Sequence, residues 1–169
     1  MTTTMISAEP GKQDIVIIRE FDAPRAAVFK AFTDPALIPL WWGPRSLTTT
    51  VEMLDLEPGG LWRFVQRDAE RHEAAFRGVY HTIVPNEKLV YTFEFEGLPG
   101  HVALETVRFE DAGGKTRLTD QLIFQSAADR DGMLKAGMET AAKESMDFLE
   151  ALLTSRRVPD SALSMSQDR

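Results

Sequence analysis

The chain has 169 residues, 43% hydrophobic and 27% charged, which are the size and composition of one ordinary globular domain and exclude wholesale disorder. With 26 acidic and 19 basic residues, the net charge is −7, which argues against a nucleic-acid partner bound through its phosphates. Cysteine is absent, so disulfides, thiolate nucleophiles and cysteine-ligated zinc are excluded.

The N-terminal segment, residues 1–13, is small and polar and contains Pro10 and Gly11. It predicts a flexible lead-in, and it has neither the basic region nor the apolar core of a signal peptide. The longest mostly apolar run, residues 36–42, is too short to span a bilayer. We therefore expect a cytoplasmic protein without a membrane partner.

Strand and helix signals follow in a clear order. Asp14–Phe21 is rich in β-branched residues and predicts a strand. Ala23–Thr33 changes to a helical period, and a second short helix is predicted through Leu40, ending at Trp41-Trp42-Gly43-Pro44. Turn signals then separate six further predicted strands: Leu47–Asp55, Leu61–Gln66, Glu73–Val84, Leu89–Phe95, Val102–Glu110 and Thr116–Gln125.

The last predicted element is a helix. Ser126–Asp129 resembles a capping box, and apolar or small residues recur at helical spacing up to Leu152. The pattern predicts one amphipathic helix of about seven turns that ends at Leu153, followed by a flexible tail over residues 154–169. This order predicts an α+β domain over residues 14–153, with an antiparallel sheet of six or seven strands wrapped around the C-terminal helix.

Small residues on the last helix face many rings on the sheet. Gly137, Ala141 and Ser145 lie on one ridge, so this face either fills an ordinary dense core or leaves an apolar pocket open near the two adjacent tryptophans. Because adjacent residues at a helix end face different ways, we expect one tryptophan in the core and the other at the pocket mouth. The candidate lining residues are Trp41, Trp42, Trp62, Phe64, Phe76, Tyr80, Tyr91, Phe93, Asp120, Gly137, Met138, Ala141 and Ser145.

Asp120 is the most informative polar residue. It shares a strand face with Leu118 and Leu122, so strict alternation turns its carboxylate inward, where it needs a partner or a proton. Arg19 lies on the inward face of the first strand, which is expected to neighbour the last strand. We hypothesise that Arg19 and Asp120 pair inside the domain; the alternative is a bulge or barrel rim that exposes both.

Several stretches of the chain follow one another in the order of one family's motifs: Phe21–Pro35, Leu40–Pro44, Leu56–Phe64, Phe76–Tyr80, Pro85–Tyr91 and Gly113–Thr119. On these stretches the chain resembles START-like (SRPBCC) proteins, in the branch of the C-terminal domain of the activator of heat-shock protein 90 ATPase, and its stand-alone bacterial members. The resemblance implies a helix-grip fold and favours an internal cavity, because the wider superfamily binds lipids, sterols, polyketides and hormones. It carries over no catalytic motif.

Three functions remain open at this point. The first is non-catalytic binding of a small hydrophobic molecule in the cavity, by a monomer or a homodimer. The second is a co-chaperone-like module that uses its outer surface and has a chaperone partner. The third is a cyclase, dehydratase or hydrolase, for which Asp120, Tyr80, Tyr91 and His81 are the only plausible acid–base groups. Because reactive groups are scarce, we predict no catalytic residue, no metal and no cofactor.

Overall fold

The computed structural model describes residues 3–155. Within this range the chain forms eight strands, three α-helices and one short 3₁₀ turn. The strands are β1 Met5–Ser7, β2 Asp14–Phe21, β3 Thr48–Leu54, β4 Leu61–Arg67, β5 Glu73–Val84, β6 Lys88–Phe95, β7 Val102–Ala112 and β8 Lys115–Ile123. The helices are α1 Arg25–Thr33, α2 Ala127–Lys135 and α3 Met138–Thr154, and the 3₁₀ turn is Ile38–Leu40.

The strands form one antiparallel sheet in the order β1-β2-β8-β7-β6-β5-β4-β3. Consecutive strands from β3 to β8 are neighbours, because short turns connect them as hairpins. The first long strand returns beside the last: Ile17 of β2 is opposite Asp120 of β8. The sheet therefore has the predicted order, and together with the helices it forms the α+β helix-grip fold that the family resemblance implies.

Alternating side chains give the sheet one buried face. On β2, Ile15, Ile17 and Phe21 are buried, and on β8, Leu118 and Leu122 are buried. This face packs against α1 and α3 to form the main core, to which α3 contributes a buried stripe that ends at Leu153. A smaller buried cluster surrounds Trp62 and Phe64 on β4.

The single C-terminal helix predicted from the sequence is wrong: two helices are present. The chain leaves α2 at Ala136, and Gly137 has φ of +94°, a left-handed conformation that residues with a Cβ adopt only at a cost. The start was predicted correctly, because the Ser126 hydroxyl accepts a hydrogen bond from the Asp129 backbone N–H at 3.0 Å. Gly137, which the sequence pattern placed on a ridge of small residues, instead ends α2.

Two further details differ from the sequence-based expectation. Strand β1 lies in the segment that was predicted as a lead-in, and it pairs with β2 through partners such as Ile6 and Ile17. The second short helix is a single 3₁₀ turn. The predicted flexible tail begins at Thr154, the last residue of α3, and most of it lies outside the described residues.

Candidate functional site

A cavity of about 410 Å³ lies between the sheet and the helices. Gaps in a close-packed core rarely exceed the size of a water molecule, whereas small-molecule sites typically enclose about 300–1,000 Å³. The dense-core alternative therefore does not describe this region. Exposed Ala136 and Gly137 line the cavity, which places its mouth at the break between α2 and α3.

The structure brings all thirteen candidate lining residues together around this one cavity. Their role in binding stays a prediction. The wall also contains residues that the sequence analysis did not single out. They are Ile17, Phe32, Ile38, Gly43, Pro44, Leu47, Gln66, Ala74, Phe95, Glu105, Leu122, Met133, Ala136, Ala142 and Met146.

Aromatic rings in edge and stacked contacts build the wall formed by β4, β5 and β6. The Trp42 ring meets Phe64 edge-on at 5.1 Å and Phe76 at 5.2 Å between centroids. Phe76 in turn stacks on Phe93 at 5.4 Å. Such contacts add to the stabilisation from burial and hold each ring in one orientation. The result is a preformed apolar surface.

The two adjacent tryptophans occupy different environments. Trp41 is buried; its indole N–H donates to the Ala31 carbonyl at 2.9 Å, and its ring contacts Phe32 at 4.6 Å. Trp42 is half-buried and contacts the aromatic wall. Both line the cavity, but Trp41 is fixed by the core, whereas Trp42 is the more accessible ring.

Gly78 allows Trp62 to lie across the sheet. The two residues are partners on β4 and β5, and the Trp62 indole N–H donates to the Thr92 carbonyl of β6 at 3.2 Å. A Cβ at position 78 would stand 1.8 Å from that carbonyl oxygen and 2.4 Å from the indole nitrogen. The missing side chain is therefore what makes room for the ring.

A polar stripe crosses the cavity wall on four neighbouring strands. Tyr80 of β5 is opposite Tyr91 of β6, and Tyr91 is opposite Glu105 of β7. Asp120 of β8 is opposite Val107, which places it diagonally from Glu105 on the same face. Asp120 and Tyr91 both approach the Glu105 carboxyl, and their hydrogen-bonding groups act to lower the pKa of Glu105 against the effect of its burial. Oδ1 of Asp120 has no hydrogen-bond partner.

The two carboxyls are buried, with only 7% of Glu105 and 6% of Asp120 exposed. Burial raises the pKa of both groups, and the neighbouring Glu105 charge adds to the increase in the pKa of Asp120. Two carboxyls that share an apolar site oppose each other's ionisation, so the first to ionise makes the second harder to ionise. Burial also raises the pKa of Tyr91, which keeps its hydroxyl available as a donor.

The predicted Arg19–Asp120 pair is wrong, although both side chains do face inward and are buried. Arg19 is opposite Leu118, two residues along β8 from Asp120. Its guanidinium instead reaches α3, where it donates to Asp147 at 2.5 Å and to Glu150 at 2.7 Å. The acidic partners of Arg19 lie on the last helix, and a strand pattern cannot reveal them. Asp120 therefore has Glu105 as its neighbour instead of Arg19.

Glu105 is the functional candidate that the sequence analysis missed. The sequence already contained the signal, because Glu105 shares a strand face with the apolar residues Ala103, Val107 and Phe109. All three are buried in the structure. The same reasoning that turned Asp120 inward applies to this strand. His81, which was considered as an acid–base group, is exposed and does not line the cavity.

The opposite wall is tied to the loop that follows the 3₁₀ turn. Ser145 of α3 accepts a hydrogen bond from the Gly43 N–H at 2.9 Å and donates to the Gly43 carbonyl at 3.2 Å. Glu144 accepts from the Arg45 N–H at 2.9 Å. These contacts fix the loop that carries Trp42. Ser145 therefore has a positioning role as well as a place in the wall.

Within residues 3–155, no group of three or more His, Asp or Glu side chains is arranged to hold a metal ion. None of the helices there has the length and apolar character needed to cross a membrane.

Comparison with solved structures finds the same architecture in bacterial proteins. A protein from Arthrobacter aurescens is 25% identical with a TM-score of 0.82, over 89% of this chain and 91% of that one. A protein from Mycobacterium smegmatis is 22% identical with the same TM-score, over 91% and 99% of the two chains. DynU16, described as a putative protein in the dynemicin biosynthetic locus, is 19% identical with a TM-score of 0.67, over 85% and 48%.

The family comparison agrees with the sequence resemblance. A comparison with curated proteins finds no significant match to this chain. The model of the family described as "Activator of Hsp90 ATPase homolog 1-like protein" matches residues 22–154. This range contains α1, all strands from β3 to β8 and both C-terminal helices. The chain therefore belongs to the Activator of Hsp90 ATPase homolog 1-like family.

Proposed function

We propose that the protein binds a small hydrophobic molecule in the cavity between the sheet and the C-terminal helices, without transforming it. The observation that carries this proposal is the preformed cavity of about 410 Å³ with an aromatic wall. Each 100 Å² of apolar ligand surface buried there would contribute about 2.5 kcal/mol. A few polar groups on one side of an apolar site are what orients a ligand in typical small-molecule sites.

The arrangement of the wall supports binding. The rings of Trp42, Phe64 and Phe76 hold one another in place, so little order has to be created when a ligand enters. The exposed break at Gly137 gives an entrance between α2 and α3. Buried polar groups lie beside this apolar surface on the neighbouring strands and would give a ligand a defined orientation.

A neutral fluorescent probe tests the proposal directly. N-phenyl-1-naphthylamine should show saturable one-site binding, with energy transfer from the tryptophans in the wall. The variant Ala141→Phe fills the cavity from α3 and should weaken binding at least about tenfold, the factor that corresponds to about 1.4 kcal/mol.

A matched control is available on the same helix. Ala151 is exposed and does not line the cavity, so Ala151→Phe should bind the probe like the wild type. The proposal fails if the probe shows no saturable binding. It also fails if Ala141→Phe, folded as judged by circular dichroism, binds as tightly as the wild type.

A chaperone partner is the second candidate, favoured by the family match over residues 22–154. Such a function would use the outer surface, where Leu104 and Ile123 are exposed register partners on β7 and β8. It predicts stimulation of the ATPase of the host's own heat-shock protein 90. That stimulation should survive Ala141→Phe and be reduced by Leu104→Ser. Cavity binding should instead be weakened by Ala141→Phe and unchanged by Leu104→Ser.

A further inference from the structure

The cavity combines an apolar wall with polar groups that are either neutral or acidic. Of its lining residues within 3–155, none is Lys, Arg or His, whereas Glu105 and Asp120 both face into it. We propose that the bound molecule is an apolar compound whose polar group donates hydrogen bonds and is neutral or positively charged, as in an alcohol or an amine, and that carboxylates are rejected. This inference rests on the proposed binding function.

The geometry leaves one acceptor unused. Only 6% of Asp120 is exposed, and its Oδ1 has no hydrogen-bond partner. A buried polar atom without a partner is less favourable than one whose hydrogen bond is satisfied. Oδ1 itself is covered by the protein, but Asp120 lines the cavity together with Glu105. A ligand hydroxyl or ammonium group on this side of the cavity would therefore meet carboxyl groups that can accept its hydrogen bonds.

The surrounding groups do not offset a negative charge. Tyr80 and Tyr91 face the pair from β5 and β6 as neutral hydroxyls, and the lining residues of α2 and α3 carry no charge. The nearest inward cation on β2 is Arg19, which is engaged by Asp147 and Glu150. An anionic ligand would therefore meet two acidic carboxyls, neutral polar groups and apolar rings, with no cation among the lining residues of 3–155, and like charges brought together in such a site repel strongly.

Burial of the pair strengthens this preference. An anionic ligand beside Glu105 and Asp120 would be accommodated only if one of the two carboxyls, or the ligand itself, took up a proton. A neutral donor needs neither change. A cation gains from the charge that remains on the pair, because opposite charges within about 4–6 Å favour one another in a poorly solvated site.

Two matched ligand series test the charge preference. The first is 2-naphthylmethanol, 2-naphthylmethylamine and 2-naphthoic acid; the second is decanol, decylamine and decanoic acid. Each compound is titrated at pH 7.5 against wild-type protein loaded with N-phenyl-1-naphthylamine. In both series we expect the alcohol and the amine to bind at least about tenfold more tightly than the acid.

Variants show whether the carboxyl pair causes the preference. Asp120→Asn and Glu105→Gln remove one ionisable group each and should narrow the ratio between alcohol and acid. Glu110→Gln is the matched control: the residue lies on the same strand and is exposed, so the ratio should not change. The wild-type ratio remains a test by itself if a cavity variant fails to fold.

The outcomes separate this inference from the proposed function. If the probe binds and the acid binds as tightly as the alcohol, or none of the six compounds displaces the probe, the inference is overturned and binding stands. An unchanged ratio in both cavity variants also overturns it. If the probe does not bind at all, the proposed function itself fails.

Discussion

Glu105 and Asp120 lie diagonally across the neighbouring strands β7 and β8 and present their carboxyls to the same cavity. Within residues 3–155 neither has a basic side chain as its partner, and Tyr91 is opposite Glu105 on the neighbouring strand β6. Two acids in contact inside an apolar wall are costly to a fold unless a proton or a ligand compensates them. Their position beside the aromatic rings, on the next strands of the sheet, makes them the polar end of the candidate site.

Asp120→Asn is expected to change the dependence of stability on pH. The ordinary pKa values are 3.8 for Asp and 4.5 for Glu, and burial raises both pKa values in the folded protein. The protonated pair is fully compatible with folding below about pH 4. As the pH rises, the unfolded chain loses these protons first, so the free energy of unfolding falls until the folded pair has ionised as well.

Asp120→Asn removes part of this fall in the free energy of unfolding with rising pH. Its free energy of unfolding should fall less steeply above about pH 4 and exceed the wild-type value by about 1 kcal/mol or more at pH 8, because an amide can donate to Glu105. Urea denaturation at a series of pH values measures the difference. Glu110→Gln serves as the control, and parallel curves for Asp120→Asn and the wild type would contradict the account.

The adjacent tryptophans should respond differently to truncation. Trp41→Ala removes a buried ring and its hydrogen bond to Ala31, so it should lower the free energy of unfolding by about 3–5 kcal/mol. Trp42→Ala removes a half-buried ring from the cavity wall, so it should cost less stability and weaken probe binding more. Thermal unfolding and probe titration provide the two readouts. Equal stability losses would show that the two rings are not divided between core and wall.

Two glycines near the cavity mouth should respond to alanine with opposite signs. Gly137→Ala puts a Cβ on a residue with φ of +94°, which should cost about 1–2 kcal/mol although the space around it is open. Gly132 lies inside α2 with open space and no positive φ, so Gly132→Ala should stabilise the protein by about 0.5–1 kcal/mol. Chemical denaturation measures both. A stabilising Gly137→Ala would mean that α2 and α3 are continuous in solution.

The ion pairs of Arg19 should be unequal. Only 2% of its side chain is exposed, compared with 70% for Asp147 and 26% for Glu150. Asp147→Asn should therefore cost under about 1 kcal/mol, as exposed pairs do. Glu150→Gln should cost about 1–3 kcal/mol, because its bond to the buried guanidinium is charge-assisted and better shielded. Urea denaturation of the two variants decides this, and a larger loss for Asp147→Asn would contradict the account.

Much of the sheet could be predicted from the sequence, since alternation determines which side chains face inward. Asp14–Phe21 and Glu73–Val84 were predicted with the bounds that the structure has. The same alternation turned Asp120 inward, and it would have identified Glu105 had the charge in β7 been read in the same way.

Features that depend on the meeting of distant segments could not be predicted in this way. The partners of Arg19 lie on α3, and strand alternation gives no information about which helix residues approach it. Gly137 was ambiguous, because a small residue on a helix ridge and a helix-ending glycine look alike until the backbone φ is known. Gly78 likewise gains its meaning only from the Trp62 ring that crosses it.

If the cavity holds a small hydrophobic molecule, native mass spectrometry of protein purified gently from its own host should detect that molecule. We expect an added mass that disappears on denaturation, is missing from Ala141→Phe and is retained by Ala151→Phe. The bare protein mass at every growth condition, in the wild type and both variants, would contradict the claim.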